Sequence, residues 1–331
     1  MDSSALAPSG DCPNCNAPHD VGTVVGDYLF NVEWDQKIFP CRKILQCDRC
    51  KLVYAWPMPD ETELTDYYSN IYRAVGRPHH FSGQPEVLYR HLAYLSYITT
   101  FVSLSEVTRV YEIGAGFGEM GSLLKSVNPK IELLTHEPDS HTRDKLEQSG
   151  YTVLPIEASV EGDVDLVISI HSMEHFTDLQ HFFSLTNSLR FGGYFFVEVP
   201  NCTIEDGWLE RPYDSPHLMF FDAETLKESF ESRGYEAIAI SKSGISLRED
   251  FSLCAEWKQQ FGGWLPGESH SRRQHMTSPR EIVKSFLPNR VKRVIRAAMN
   301  SAPSGHLALG AADINNSASQ GWLLRGLFRK V

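Results

Sequence analysis

The stretch that decides the fold is residues 110–123, with the sequence V-Y-E-I-G-A-G-F-G-E-M-G-S-L. An apolar run ends in Glu112, three glycines follow at alternate positions, and an apolar pattern with helical spacing begins at Met120. A strand that runs into a glycine loop and then into a helix is the nucleotide-binding turn of a doubly wound α/β sheet. Glycine is needed there because the backbone must bend tightly and approach a ligand with no Cβ in the way.

The residues around these glycines indicate which ligand the loop binds. A dinucleotide-binding loop has the pattern G-x-G-x-x-G, but here Glu119 stands where the third glycine would be. Glu112 would repel a pyrophosphate, whereas a charge-assisted hydrogen bond from the ammonium of S-adenosylmethionine contributes roughly 1.5–3 kcal/mol. We therefore expect S-adenosylmethionine, with a nicotinamide cofactor as the less favoured alternative. The loop residues expected to hold it are Glu112, Gly114, Ala115, Gly116 and Gly118.

A second acidic position follows the next apolar run. Residues 131–136 are predicted to form a strand, and Glu137-Pro138-Asp139 come directly after it. At this place a carboxylate can accept hydrogen bonds from both hydroxyls of a ribose. Enzymes that bind dinucleotides use the same contact, so Glu137 and Pro138 support adenosine binding without deciding between the two cofactors.

Two C-x-x-C pairs near the N-terminus predict a metal site. Each pair, Cys12 with Cys15 and Cys47 with Cys50, bends into a knuckle that directs two thiolates at one point. Two knuckles joined by a hairpin complete a tetrahedral site for Zn²⁺. Four thiolates leave no open position for catalysis, so we expect a structural zinc. The alternative is a set of unpaired thiols in a reducing cytosol.

Strand-like and helical segments alternate from residue 107 to residue 241, which predicts a largely parallel sheet. We expect an α/β fold with a doubly wound, seven-stranded, mostly parallel Rossmann-like sheet, an N-terminal zinc ribbon and a C-terminal helical extension. The seventh strand is predicted at residues 252–257. The predicted domains are a zinc-ribbon-like unit at 1–60, a helical linker or lid at 61–105, the cofactor-binding domain at 106–260 and a basic helical extension at 261–331.

Three motifs resemble those of known enzymes. The pattern E-x-G-x-G-x-G at residues 112–118 resembles motif I of the class I S-adenosylmethionine-dependent methyltransferases. The string C-x-x-C-x-L-V-Y-x-x-P-x-P at 47–59, followed by Y-Y-x-x-x-Y, is similar to the N-terminal zinc-binding segment of bacterial methyltransferases that act on sugars and related small molecules. The block D-L-V-I-S-x-H-S-M-E-H-F-x-D at 165–178 looks like the post-motif block of the same enzymes. The resemblance covers roughly residues 11–245.

The resemblance implies roles for two histidines. The histidine that matches His175 is an active-site residue in the zinc-bearing sugar methyltransferases, although a histidine here can also cap the next helix. The one that matches His217 is the base of the sugar C-methyltransferases, where a glutamate precedes it. Here Pro216 precedes His217. The carboxylate–histidine dyad is therefore missing, which puts C-methylation in doubt.

Further site residues follow from the same resemblance. The family's tyrosines lie over the mouth of the active site, and Tyr72 is the expected substrate contact, whereas Tyr67 and Tyr68 either line the mouth or pack their helix on the core. Glu157, after a third strand at residues 151–156, lies near where the adenine amino group is held in related enzymes. His171 is assigned to the cofactor because it ends the strand that faces the methyl group.

These roles predict methyl transfer from S-adenosylmethionine to a small molecule. We favour a hydroxyl of a sugar or glycan unit, free or nucleotide-linked, in bacterial polysaccharide or natural-product biosynthesis. His217 or His175 would remove the proton of the acceptor, and Tyr72 and Glu210 would help to hold it. The alternatives are methylation of a sugar carbon, methylation of RNA, and a catalytically silent scaffold that binds the cofactor.

Charge is unevenly distributed along the chain. The net charge is −11, but residues 271–331 contain eleven Lys and Arg against two acidic residues, so this tail carries +9 and residues 1–270 carry −20. Such a chain does not look like a duplex-DNA binder. The tail can meet an anionic membrane surface, dock a phosphorylated substrate or cover the core. The first residues show no export signal, so we expect a cytoplasmic protein, with peripheral contact to the inner face of the membrane as an option.

Overall fold

The computed structural model describes residues 11–28, 42–71, 85–156, 158–204, 207–210, 216–243 and 323–331. The strands in these ranges are β1 (Gly22–Asp27), β2 (Lys43–Cys47), β3 (Val53–Trp56), β4 (Arg109–Ile113), β5 (Glu132–His136), β6 (Tyr151–Val153), β7 (Val164–Ile170), β8 (Leu189–Pro200), β9 (Met219–Phe220), β10 (Tyr235–Ser243) and β11 (Leu323–Lys330). The helices are α1 (Glu61–Asp66), α2 (Pro85–Phe101), α3 (Glu119–Val127), α4 (Arg143–Gln148), α5 (Leu179–Ser184) and α6 (Ala223–Glu231). Short helical turns cover Tyr67–Ile71, Met173–His175 and Trp208–Glu210.

The larger sheet has seven strands in the order β10-β11-β8-β7-β4-β5-β6. Five neighbouring strands, β8, β7, β4, β5 and β6, run parallel to one another, and β11 lies antiparallel between β8 and β10. Parallel strands need crossover connections that cover both faces of the sheet, which explains why the central strands are mostly apolar and buried. Tyr111, Val167 and Phe196, one from each of β4, β7 and β8, are entirely buried. The predicted seven-stranded, mostly parallel sheet is confirmed.

The position of the seventh strand corrects the sequence analysis. The predicted strand at residues 252–257 lies outside the described residues, and β11, from the segment predicted to be a helical extension, fills the seventh position. Leu324, Leu327 and Phe328 of β11 are entirely buried, and Phe328 stacks on Phe230 of α6 with ring centroids 3.8 Å apart. The prediction of a helical extension was wrong for Leu323–Lys330, because basic residues within this short apolar run made it look like part of the basic tail.

Helix α2 packs against the larger sheet. The sequence predicted this helix at residues 85–104 and assigned it to a helical linker or lid. Tyr94, Tyr97 and Ile98 are buried, and the rings of Tyr94 and Tyr97 each lie 5.8 Å from the ring of Phe196. The boundary predicted between residues 105 and 106 therefore falls within one packed unit.

The smaller sheet joins the N-terminal unit to the rest of the fold. Its order is β1-β2-β3-β9 with antiparallel neighbours, and β9 comes from the segment that follows β8 in the chain. The side chains between the two sheets form one continuous hydrophobic cluster. The unit predicted at residues 1–60 therefore shares its sheet and its core with the larger part of the molecule.

The described helices are all too short or too polar to cross a membrane. The basic tail was predicted to contact a membrane or a phosphorylated substrate, and its residues 271–322 lie outside the described ranges.

Candidate active site

The loop between β4 and α3 has open space beside its second glycine. Gly114, Gly116 and Gly118 have φ angles of +69°, +56° and +76°, a region that other residues adopt only at a cost. A Cβ at Gly114 would collide with Ser172, and one at Gly118 would lie 3.0 Å from the ring of Tyr151. A Cβ at Gly116 would meet no atom within 4 Å. The backbone at Gly116 therefore borders open space that a ligand can enter, and we call this space the cleft.

Glu112 lies beside this loop, at the end of β4, with 3% of its surface exposed. Its carboxylate accepts a hydrogen bond from the hydroxyl of Tyr151. Burial raises the pKa of Glu112 to about 8 against the opposing effect of that hydrogen bond, and the nearby carboxylates of Glu119 and Glu137 add to the rise. A buried carboxyl group in this condition favours a cationic ligand, because a nearby positive charge offsets the cost of ionising it.

The carboxylate of Glu137, directly after β5, contacts the glycine loop. Its Oε2 accepts a hydrogen bond from the backbone N–H of Gly116 at 2.7 Å, and its Oε1 accepts one from that of Asp139 at 3.0 Å. These two hydrogen bonds tie the carboxylate of Glu137 to the glycine loop and to the turn that follows β5. Its predicted contact with a ribose stays a prediction.

His171 lies between two buried carboxylates just after β7. Its Nδ1 is 3.3 Å from Glu174 Oε1, and its Nε2 is 3.1 Å from Glu198 Oε1. Burial alone would lower the pKa of His171, but these carboxylates raise it to about 9. Although burial opposes the ionisation of Glu198, Arg325 and His171 hold its pKa at about 2, and Tyr94 and Arg325 both donate to it. Both ring nitrogens of His171 thus face the protein, and its contact with the cofactor stays a prediction.

His175 and His217 form a pair beside this network. Their ring centroids are 4.9 Å apart, and both side chains are half-buried. Nδ1 of His175 lies 2.9 Å from the hydroxyl of Tyr68 and 3.1 Å from the carbonyl oxygen of Pro216. These two contacts fix the orientation of the His175 ring, which is the condition for an imidazole to exchange a proton with a bound molecule.

Glu174 places a carboxylate next to the histidine pair. One carboxylate oxygen of Glu174 and one ring nitrogen from each of His175 and His217 lie within 4.8 Å of one another. Three such atoms can share a proton or hold a divalent cation. Burial would raise the pKa of Glu174, but the hydrogen bond from His171 and the positions of His175 and His217 lower it below its usual value. The glutamate missing before His217 in the sequence therefore has a counterpart in the fold, supplied by the loop after β7.

The histidine pair and the glycine loop lie at the same edge of the sheet. Strands β4 and β7 are parallel neighbours, so the loops that follow them leave the sheet together. Ser172 packs so closely on Gly114 that no Cβ would fit between them. The N–H of Leu218 donates to the carbonyl oxygen of Glu174 at 2.7 Å, which ties the segment after His217 to the same place. Sheets of this kind bind ligands in the crevice outside the carboxyl ends of their strands.

Four cysteine side chains meet at one end of the smaller sheet. The Sγ atoms of Cys12 and Cys50 are 3.5 Å apart, those of Cys15 and Cys47 are 3.7 Å apart, and all four lie within 4.8 Å of one another. None of the four forms a disulfide. A tetrahedral zinc with Zn–S bonds of about 2.3 Å separates its sulfur ligands by roughly 3.8 Å. The spacing of the thiols therefore fits the predicted zinc.

The central part of the chain is similar to a known protein family. Residues 87–240 match the sequence profile of the family described as Methyltransferase domain. These 154 of the 331 residues are similar to that family, and we call them the methyltransferase domain below. No curated protein sequence matches the chain significantly.

Solved structures that resemble the methyltransferase domain and its surroundings do so at low identity. They include the plantazolicin methyltransferase BpumL in complex with SAH (12% identity, 83% of this chain and 92% of that chain, TM-score 0.44). Others are a SAM-dependent methyltransferase from Archaeoglobus fulgidus (17%, 74% and 93%, TM-score 0.41) and StiE O-MT residues 942–1257 (15%, 80% and 82%, TM-score 0.41). Likeness at this level carries no argument about cofactor or substrate.

The methyltransferase domain gathers most of the predicted site residues at one edge of its sheet. Glu112, Glu137 and the three glycines of the loop lie at this edge, and so do both predicted catalytic histidines. Tyr72 and Glu157 lie outside the described residues, as does the side chain of Glu210. Their roles stay predictions.

Sequence analysis missed two contacts at this edge and left a third undecided. The position of Glu174 directly before His175 was a usable signal, because it places a carboxylate in the same turn. Tyr68, which was either a mouth residue or a packing residue, contacts His175. The hydroxyl of Tyr28 donates to the carbonyl oxygen of His217 at 2.7 Å, a contact between distant parts of the chain that no local pattern marks.

Proposed function

We propose that this protein transfers a methyl group from S-adenosylmethionine to a small-molecule acceptor. The observation that carries the proposal is the open space at Gly116, in a loop that follows Glu112, donates a hydrogen bond to Glu137 and lies at the same sheet edge as the histidine pair. A ligand that combines an ammonium, a sulfonium and a ribose suits a buried carboxyl group at the end of β4 and a second carboxylate directly after β5. A pyrophosphate offers no positive charge to offset the ionisation of Glu112, and the carboxylate of Glu137 would repel it.

Residues of the chain itself would bind the cofactor, orient the reacting groups and accept a proton from the acceptor. Bound S-adenosylmethionine supplies an activated methyl group, and neutral S-adenosylhomocysteine remains after transfer. Glu112 would accept hydrogen bonds from the ammonium, and Glu137 would accept them from the ribose hydroxyls. Alignment of the reacting groups accounts for much of the rate in such transfers. An acceptor hydroxyl must also lose its proton, and His217 or His175 would take it.

For the acceptor we propose a hydroxyl of a sugar or glycan unit, free or nucleotide-linked. The proposal rests on the motifs shared with the zinc-bearing sugar methyltransferases and on the histidine pair at the cleft. Methylation of a sugar carbon is the second candidate, and one observation favours it. Glu174 lies beside His175 and His217, so the carboxylate that such a base requires is available from another loop.

The acceptor proposal can be tested with labelled cofactor. The purified protein would be incubated with S-adenosylmethionine carrying a CD₃ group and a panel of nucleotide sugars and free sugars, and the products analysed by mass spectrometry and NMR. We expect a mass increase on a sugar, with the label on oxygen or on carbon deciding between the two candidates. Label transferred to RNA from a control sample, with none on sugars, would contradict the proposal.

We also propose that the four cysteines hold a structural zinc. The free thiols have the separations of a tetrahedral site, and a thiolate set of this kind selects zinc over harder cations. Four protein ligands leave no position for a substrate, so the role of the ion would be to fix the fold of the N-terminal unit.

Substitution of the loop glycines should separate binding from folding. Gly116→Ala should cost about 1–2 kcal/mol of stability for the left-handed backbone and should lower affinity for S-adenosylmethionine more than tenfold, because its Cβ enters the cleft. Gly114→Ala should destabilise further through its collision with Ser172. Gly234→Ala is the matched control, with a φ of +82° at a distant turn. Thermal unfolding and calorimetric titration measure both effects, and equal affinities in the Gly116 and Gly234 variants would refute the assignment of the cleft.

Binding should release a proton from Glu112. With a pKa near 8 in the free protein, this carboxyl group is mostly protonated at pH 7 and must ionise to pair with an ammonium. Affinity should therefore rise with pH up to about 8, where the amino group of the ligand begins to lose its own proton. The same raised pKa means that the free protein loses stability as the pH rises from about 4.5 toward 8.

The proton release can be measured by calorimetric titration at pH 7 in buffers with different enthalpies of ionisation. The apparent binding enthalpy should change with the buffer in the wild-type protein, with close to one proton released, and should not change in Glu112→Gln. A buffer-independent enthalpy in the wild-type protein would contradict the role of Glu112.

A further inference from the structure

We infer that the N-terminal four-cysteine unit positions His217, with Tyr28 as the positioning residue and zinc as the ion that keeps the unit in place. The inference rests on the proposed methyl transfer, because His217 is one of its candidate bases. It adds a function for the N-terminal unit, which would be part of the catalytic structure rather than a separate module.

The main chain after His217 is a strand of the N-terminal sheet. In this sheet β3 pairs with β9, and Val53 and Tyr54 lie opposite Phe220 and Met219. The N–H of Ala55 extends the pairing, because it donates to the carbonyl oxygen of Leu218 at 2.8 Å. Leu218, directly after His217, is therefore hydrogen-bonded to β3, and β3 begins three residues after Cys50 of the predicted zinc site.

Tyr28 holds His217 itself. Its hydroxyl donates to the carbonyl oxygen of His217 at 2.7 Å, and its side chain is 6% exposed. The ring lies against Phe220, with centroids 6.2 Å apart, and Phe220 in turn stacks on Trp208 at 4.6 Å. A buried hydroxyl with such neighbours has little freedom to move, so the hydrogen bond fixes the backbone from which the imidazole of His217 extends.

The cysteine cluster is anchored to the methyltransferase domain at its other end. The N–H of Leu179, at the start of α5, donates to the carbonyl oxygen of Pro13 at 2.9 Å. Arg233, just after α6, donates to the carbonyl oxygen of Asn14 at 2.9 Å and to its side-chain oxygen at 2.7 Å. An ion bound by the four thiolates would therefore connect a knuckle fixed to α5 and α6 with the strands that hold His217.

The effect on turnover follows from the sensitivity of catalysis to position. A displacement of about 1 Å of a reacting group can lower the rate by roughly a hundredfold. The cofactor cleft is formed by the loop after β4 and by Glu137, which none of the contacts described here involves. Loss of the positioning contacts should therefore lower kcat and leave affinity for the cofactor unchanged.

Tyr28→Phe is the first test, since it removes one hydroxyl and keeps the ring. We expect kcat to fall about five- to fiftyfold, the Kd for S-adenosylhomocysteine to stay within twofold, and the ¹H–¹³C signal of the His217 ring to shift. The signal is assigned by its absence in His217→Gln. Tyr54→Phe is the matched control, because the Tyr54 hydroxyl is buried in the same sheet and has no hydrogen-bond partner among the described residues. An unchanged His217 signal in Tyr28→Phe would overturn the inference.

Zinc removal is the second test and does not depend on turnover. Metal analysis should give one zinc per chain, and chelation or Cys47→Ser should increase hydrogen exchange at Ala55 and Phe220, whose amides lie in the pairing of β3 with the segment after His217, while binding of S-adenosylhomocysteine persists. Unchanged exchange at those residues in the zinc-free protein would contradict the inference. Failure of the proposed methyl transfer looks different, because the wild-type protein would then bind no S-adenosylhomocysteine at all.

Discussion

His217→Ala is expected to lower kcat by about 10²–10⁴-fold, the usual contribution of a general acid or base. The centroid of the His217 ring lies 4.9 Å from that of the His175 ring, and one of its ring nitrogens lies within 4.8 Å of a carboxylate oxygen of Glu174. Glu174 is held ionised by its histidine neighbours, so it can stabilise a protonated imidazole. Loss of the ring should remove the proton acceptor and leave the cofactor cleft intact.

The measurement is the initial rate of methyl transfer together with the Kd for S-adenosylmethionine. His181→Ala is the matched control, since His181 is an exposed histidine on α5. A His217 variant that keeps wild-type turnover would exclude this residue as the base and direct attention to His175. A variant that loses cofactor binding would make His217 a binding residue.

Glu137→Ala is expected to raise the Kd for S-adenosylmethionine by about 10- to 100-fold. A hydrogen bond to a charged group contributes roughly 1.5–3 kcal/mol, and each 1.4 kcal/mol corresponds to a factor of ten in affinity. The substitution removes the expected contact with the ribose. It also removes the acceptor for the Gly116 N–H, so the loop that borders the cleft loses one of its supports.

Two comparisons sharpen this second prediction. Glu137→Gln keeps one acceptor oxygen and should show an intermediate loss. Glu132→Ala is the control, because Glu132 is exposed at the opposite end of the same strand, where it pairs with Arg109. The affinities are measured by calorimetric titration with S-adenosylmethionine and S-adenosylhomocysteine. Equal affinities in the Glu137 and Glu132 variants would show that Glu137 does not contact the ligand.

The sequence was sufficient to predict the central part of the fold. The strand that ends in Glu112 and the loop glycines have strong local signals, because a parallel strand is a short apolar run and a left-handed turn requires glycine. The four cysteines were equally visible, since ligand spacing is a local property. The predicted strand at residues 131–136 is observed at Glu132–His136.

The position of β11 could not be predicted in the same way. Its residues follow a long basic segment, and their place between β8 and β10 depends on contacts with strands far away in the chain. Arg325 shows the difficulty. It reads as one of several tail cations, but it is buried and donates to Glu198.

The candidate site was predictable residue by residue, but not as a geometry. Both histidines were found from their motifs, whereas the carboxylate beside them was sought at position 216 and lies at Glu174. Tyr28 of the N-terminal unit contacts His217, and Tyr68, just after α1, contacts His175. The contact of Tyr28 accompanies the pairing of β9 with β3, which involves two residues and has no signal of its own in the sequence.

The most direct test of the account is calorimetric titration of S-adenosylmethionine and S-adenosylhomocysteine into the purified wild-type protein, with NADH titrated in parallel. The account predicts micromolar binding of both sulfur ligands at one site per chain, and no binding of NADH. Binding of NADH without S-adenosylmethionine would contradict the assignment of the cleft and the proposed methyl transfer with it.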